Sequence, residues 1–145
     1  IVAKERGISI SYNHGSSKTS YSNLIISHIE TDDSLTKISG TVFSDNHFRI
    51  VDIMGYKIDF KPEGNMLFIK NIDVPGVIGK VGSFLGKSNV NIGEYILSRT
   101  NNNQSAFAVV KLDNILDDEL LLRLKNFKEI KKVDQLYINN IGMEY

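Results

Sequence analysis

The sequence predicts an α+β chain, with a mostly-β first part over residues 1–64 and a ferredoxin-like βαββαβ domain over 65–145. Three observations predict it. The first part carries a run of strand signals, opening with Ile8, Ile10 and Tyr12 in alternation with polar residues, the period of a half-buried strand. Beyond Gly64 the period switches between two and about 3.6, in the order strand, helix, strand, strand, helix, strand. Between the two rhythms, Pro62-Glu63-Gly64 supplies a turn-rich break.

Residues 1–7 read as the last turns of a helix closed by Gly7. A chain that opens inside a helix is expected to be a piece of something longer. Ile8, Ile10 and Tyr12 then alternate with Ser9, Ser11 and Asn13, which predicts a strand, and residues 13–17 are turn-rich. Residues 23–30 and 35–43 supply two more extended segments. Residues 48–53 and 56–61 flank Met54-Gly55, a two-residue hairpin signal.

The second part begins with the apolar strand Met66-Leu67-Phe68-Ile69. Pro75 is expected at the first helical position, where its missing N–H costs nothing. Val77, Ile78, Val81, Phe84 and Leu85 follow at helical spacing. Residues 91–98 and 106–112 are strands around a polar loop, 100–105. Asp117, Asp118 and Glu119 place acids where the dipole of a second helix favours them. Leu120, Leu121, Leu124 and Phe127 form that helix's stripe, and residues 130–138 close the pattern as a strand. One apolar stripe per helix predicts that both lie on one face of a four-stranded antiparallel sheet.

Composition narrows the function. Lys plus Arg and Asp plus Glu both number 17, so the basic excess of a nucleic-acid binder is absent. No apolar stretch approaches the roughly 20 residues of a membrane span. The absence of cysteine removes disulfides, thiolate metal sites and cysteine nucleophiles. His14, His28 and His47 lack metal-ligand spacing. A cytoplasmic address fits. Two parts of this size each bury a modest fraction of their surface, which predicts a homo-oligomer, at least a dimer.

Motifs of catalysis are missing. In the run from Gly76 to Ser88, the position five residues before Gly86-Lys87-Ser88 is Val81, so a phosphate-binding loop fails. The spacing G-x-x-G-x-x-G also fails the dinucleotide fingerprint. Gly76, Gly79, Gly82 and Gly86 instead lie along one side of a helix, where they are expected to let another element approach closely. No catalytic residue is assigned.

Two ligand sites are candidates. The loop Asn71-Ile72-Asp73-Val74-Pro75-Gly76 offers a carboxylate, an amide and the free N–H groups of a helix start, which suit a zwitterionic amino acid. Asn91 adds a second amide if the turn after the helix folds back towards this loop. The plainer reading is that Asp73 caps the helix and Asn91 a turn. In the first part, Lys57, Asp59 and Lys61 share strand parity, so the two lysines could hold an anion, or simply form a solvated face. Arg49 joins them only if a bulge or strand end intervenes, because a regular hairpin sets Phe60 opposite Arg49.

The segment from Asn71 to Gly82, followed by Asn89-Val90-Asn91-Ile92, resembles the core of an ACT domain, a small amino-acid-binding regulatory module. Upstream, Tyr21-Ser22-Asn23-Leu24-Ile25, Gly40-Thr41-Val42-Phe43, the run from Arg49 to Tyr56 and Phe60-Lys61-Pro62-Glu63-Gly64 resemble the allosteric substrate-binding domain of the longer D-3-phosphoglycerate dehydrogenases. Together these cover nearly the whole chain. The resemblance implies that Asp73 and Asn91, with Asn71 and the backbone of Val74, Pro75 and Gly76, hold L-serine or a related amino acid at a dimer interface. Relatives often have histidine or tyrosine where Asn71 stands, and arginine where Val74 stands. It likewise implies that Arg49, Lys57 and Lys61 bind an anion, and that NAD-binding and catalytic domains lie before Ile1. The regulatory subunit of an iron–sulfur L-serine dehydratase is similar to the same pair of domains, but its Ser-Ser-Ser-His-Thr stretch is absent here. A structural dimerisation module without a ligand is the remaining alternative.

Overall fold

The computed structural model of the chain describes residues 2–16, 19–44, 47–100 and 104–139. The turn at 13–17, the loop at 100–105 and the terminus at 140–145 lie partly or wholly outside them.

A short helix, α1 (Val2–Glu5), ends at Gly7, whose φ of 69° accepts the left-handed turn of a C-terminal cap. The Ile8 N–H donates to the Ala3 carbonyl at 2.8 Å and the Gly7 N–H to that of Lys4 at 3.1 Å. Four strands follow as an antiparallel meander: β1 (Ile25–Glu30), β2 (Leu35–Phe43), β3 (His47–Ile53) and β4 (Tyr56–Phe60). Asn23 extends the β1–β2 ladder with its side chain. Its amide donates to the Val42 carbonyl and accepts from the Val42 N–H, both at 2.8 Å. Met54 and Gly55, at φ 51° and 86°, make the expected tight turn between β3 and β4.

The second sheet contains β5 (Gly64–Ile72), β6 (Ile92–Arg99), β7 (Ser105–Leu112) and β8 (Ile130–Ile138), ordered β6-β7-β5-β8 and antiparallel throughout. Helices α2 (Val77–Lys87) and α3 (Asp118–Lys125) cover one face. Val81 and Leu85 of α2 and Leu124 of α3 are buried against Leu67, Ile69, Ala108 and Val110. Asp117 caps α3, its side chain accepting from the Leu120 N–H at 2.7 Å. This is the ferredoxin-like arrangement expected.

The opposite face of the same sheet packs on the hairpin β3–β4. Ile53, Tyr56, Ile58 and Phe60 meet Met66, Phe107 and Val109 in a second core. Strands β5 and β7 are therefore covered on both faces, which is the physical reason that Met66 to Ile69 is one unbroken apolar run. Phe60, 2% exposed, sets its ring edge against Phe68 at 6.1 Å between centroids.

Several expectations are corrected. No strand forms over residues 8–16; Ile8, Ile10 and Tyr12 are 55%, 72% and 83% exposed. Alternation needs a partner ladder to become a strand, and none of the described residues supplies one. Helix α2 starts at Val77, not Pro75, because Gly76 turns the chain at φ 90° and Pro75 falls in the turn before it. Ile78, half exposed, drops out of the α2 stripe. A Cβ added at Gly79, Gly82 or Gly86 would meet nothing within 4 Å, so no described element approaches that side of the helix. The apolar face of α2 turns to the sheet, and the glycines lie off it.

Candidate functional site

At one end of the second sheet three connections converge. Strand β5 finishes opposite the start of β7, Ile72 pairing with Ser105. The Ile72 N–H donates to the Glu129 carbonyl at 2.8 Å, and the Asp73 N–H to the Gln104 carbonyl at 3.4 Å. The β5–α2, β6–β7 and α3–β8 connections thus share a backbone frame around Asp73.

The side chains there are only partly satisfied by one another. Asn71 is 3% exposed; its amide nitrogen donates to the Ile72 carbonyl at 2.7 Å, while its Oδ1 is buried without a hydrogen-bond partner among the described residues. Asp73 does not cap α2. Its Oδ2 faces the Arg99 Nε at 3.3 Å, with 12% of the Asp73 side chain exposed. The cap position of α2 is Gly76, which has no side chain to cap the helix start. Val74 is exposed beside it. At the rim, Lys80 donates to Glu129 at 2.7 Å, and that hydrogen bond holds the Glu129 carboxyl below its ordinary pKa against the opposing effect of burial. Lys80 also lies 4.6 Å from the Phe127 ring centre.

Asn91 is elsewhere. It immediately precedes Ile92, which is level with Leu112 and, across β7, with Asn65. Asn71 lies six residues further along β5, about 20 Å away at the rise of a strand. Within one chain the turn after α2 does not fold back to the loop. Asn91 instead donates to Asp113 Oδ2 at 2.8 Å.

The first sheet holds the second set of candidates. A register shift between Ile50 and Asp52 sets Phe60 opposite Ile50, so the irregularity that Arg49 required is present. Arg49 and Lys61 line a cavity of about 350 Å³ walled by Ile25, Ile38, Phe48 and Pro62. Lys57 is not in that wall. Every one of these cations already faces a carboxylate: Arg49 Nε to Asp59 at 2.6 Å, Lys61 to Glu63 at 2.6 Å, and Lys57 to Asp52 at 2.8 Å. Burial opposes ionisation of Asp52, but the Lys57 ammonium, the Gly55 N–H and Lys37 outweigh it and hold the carboxyl below its ordinary value. Lys57 is raised in turn, chiefly by its hydrogen bond to Asp52.

Arg99 is not among the residues that the sequence singles out. It ends a strand before a polar loop, a position with no motif, and only the register of β6 against β7 brings it beside Asp73. Among the described residues no three His, Asp or Glu side chains converge as a metal site would require. No helix among them is long and apolar enough to cross a membrane.

The fold and this loop-built end define a class: a β-meander domain joined to a ferredoxin-like domain that gathers its polar loops at one end of its sheet. Residues 1–54 match the model of the D-3-phosphoglycerate dehydrogenase intervening domain. Over 91% of its length the chain is 36% identical to the D-3-phosphoglycerate dehydrogenase of Bacillus subtilis, covering 25% of that protein. It is 34% identical to that of Synechocystis over 90% of the chain and 24% of the relative. For that of Methanocaldococcus jannaschii the values are 32%, 92% and 25%. The chain spans about a quarter of the length of these relatives, and resembles the part of D-3-phosphoglycerate dehydrogenases that holds the intervening domain.

Proposed function

We propose that this chain is the regulatory part of an NAD-dependent D-3-phosphoglycerate dehydrogenase, and that residues 65–145 form an ACT domain binding L-serine or a related amino acid as effector. The observation that carries the reading is the buried Asn71 Oδ1, without a hydrogen-bond partner among the described residues, in the loop that also presents Asp73 and leads into the glycine-capped start of α2. A buried acceptor without a donor costs free energy, and a ligand ammonium or hydroxyl offsets it. Asp73 pairs with the ammonium, and the helix N–H groups favour the carboxylate.

This reading requires a second copy of the chain. Asn91 belongs to the effector set only if it arrives from a neighbouring subunit, since its own loop lies at the other end of the sheet. Serine regulates by favouring one of two conformational states over the other, not by binding alone. In the first domain Arg49 and Lys61 are the better candidates for an anion, because they share one cavity. NAD and the chemistry of the dehydrogenase would belong to parts of the enzyme outside these residues. The relatives' shared name favours the dehydrogenase over an L-serine dehydratase subunit.

Calorimetric titration of L-serine, with D-serine and glycine as controls, tests the effector site. Stereoselective binding by a dimer supports it. No binding by a folded dimer leaves the structural dimerisation module as the surviving alternative.

A further inference from the structure

We propose that Arg99 belongs to the effector site and holds the α-carboxylate of the bound amino acid while Asp73 holds its ammonium. The inference rests on the amino-acid reading above and names the group that selects the ligand's acid end.

Arg99 is the last residue of β6, and its guanidinium reaches the Asp73 carboxylate across the end of the sheet. The contact is a poor structural ion pair. At 3.3 Å from Nε to Oδ2 it is longer than the roughly 2.7–2.9 Å of a good charge-assisted bond, and the Arg99 side chain is 63% exposed. Only the arginine is exposed; the Asp73 side chain, 12% exposed, is held largely out of water against this one long contact. Arg49 and Asp59, at 2.6 Å, show how closely the same two groups approach elsewhere in the chain.

As a complement to a ligand, the same arrangement is specific. Asp73 and Arg99 carry opposite charges, so the pair is net neutral and matches a zwitterion better than a simple anion or cation. A guanidinium presents five N–H donors in a planar fork, more than one contact to Asp73 uses, and that fork fits a carboxylate. At the rim, Lys80 pairs with Glu129 at 2.7 Å, and Lys128 lies 3.9 Å from the same carboxylate. The buried Asn71 Oδ1 supplies an acceptor for a third polar group, either the ammonium or a side-chain hydroxyl. Three ligand groups then meet three protein groups of matching character: carboxylate on Arg99, ammonium on Asp73, and a donor on Asn71.

The test compares L-serine with L-serinamide, which keeps the ammonium and hydroxyl but lacks the carboxylate. Wild-type chain should prefer L-serine by about tenfold or more, the scale of one charge-assisted hydrogen bond. Arg99→Ala should reduce that preference by weakening L-serine more than L-serinamide, the N–H groups at the start of α2 still favouring a carboxylate, and Arg99→Lys should restore part of it. Thermal unfolding of each variant checks that the fold persists. Equal affinities of the wild-type chain for the two compounds would overturn the proposal without any variant. So would an Arg99→Ala chain that binds L-serine as well as, or better than, wild type, since Arg99 would then only screen Asp73. If the wild-type dimer binds neither compound, the effector reading itself falls, and this inference with it.

Discussion

The Tyr56 hydroxyl lies 2.6 Å from the Ser105 Oγ, a hydrogen bond that ties the hairpin of the first sheet to the strand beside the Asp73 loop. The Tyr56 ring also stacks on Phe107 at 5.3 Å between centroids. One side chain therefore joins the two sheets both by packing and by a polar contact.

Tyr56→Phe keeps the stack and loses the bond, and should destabilise the chain by about 0.5–1.5 kcal/mol. Ser105→Ala should do the same, and the double variant should cost less than the sum, because both remove one interaction. Urea unfolding measures all three. Strict additivity would mean that the hydroxyls act independently. Tyr56→Ala, which also empties the stack, should cost about 3–5 kcal/mol, as for other large aromatic truncations.

Asp52 is expected to set an acid limb. Its pKa lies below the ordinary 3.8 in the folded chain. The unfolded carboxyl then binds a proton more tightly than the folded one. Its stabilisation is complete above the unfolded pKa and is lost as pH falls through the lower folded value. Asp52→Asn should therefore be less stable than wild type at neutral pH, with a deficit that shrinks once pH drops below about 3.8. Midpoints of urea unfolding across that range decide it; a deficit independent of pH would mean that ionisation of Asp52 does not contribute to stability.

Two glycines should respond in opposite directions. Gly55 sits at φ 86° in the hairpin turn, so Gly55→Ala should cost about 1–2 kcal/mol in left-handed strain. Gly79 lies inside α2 with open space where a methyl group would stand, so Gly79→Ala should stabilise the isolated subunit by about 0.5–1 kcal/mol. Thermal unfolding of dilute samples reads both. A destabilising Gly79→Ala at low concentration would mean that something packs on that face.

Asp73→Asn preserves shape and removes charge. It should weaken L-serine binding about tenfold or more, the loss of a charge-assisted contact, while changing stability by less than about 1 kcal/mol. Calorimetry and urea unfolding on the same sample separate the two effects. A large loss of stability with unchanged affinity would make Asp73 a structural residue.

The first-domain cavity gives a test of sign. Because Asp59 occupies Arg49, Asp59→Asn should strengthen binding of inorganic phosphate, and Arg49→Ala should abolish it. Phosphorus NMR line widths during titration report both. Phosphate that binds both variants as it binds wild type would place the anion elsewhere.

Much of this molecule follows from local pattern. The change of period beyond Gly64 specified the βαββαβ order, Met54-Gly55 specified its hairpin, and the acids Asp117 to Glu119 marked the start of its second helix. Each is written in residues close together in the chain, where side-chain period and backbone preference act directly. The same local logic overreached at Ile8, Ile10 and Tyr12, because alternation states what a strand needs and not whether a partner is present. What only tertiary structure decided are the meetings between distant segments. The register of β6 on β7 set Arg99 beside Asp73, the length of the sheet kept Asn91 from Asn71, and the irregularity near Val51 moved Phe60 from Arg49 to Ile50. A shift of one residue in register changes every such neighbour, and register is chosen by the packing of both faces together, which no single stretch of sequence contains.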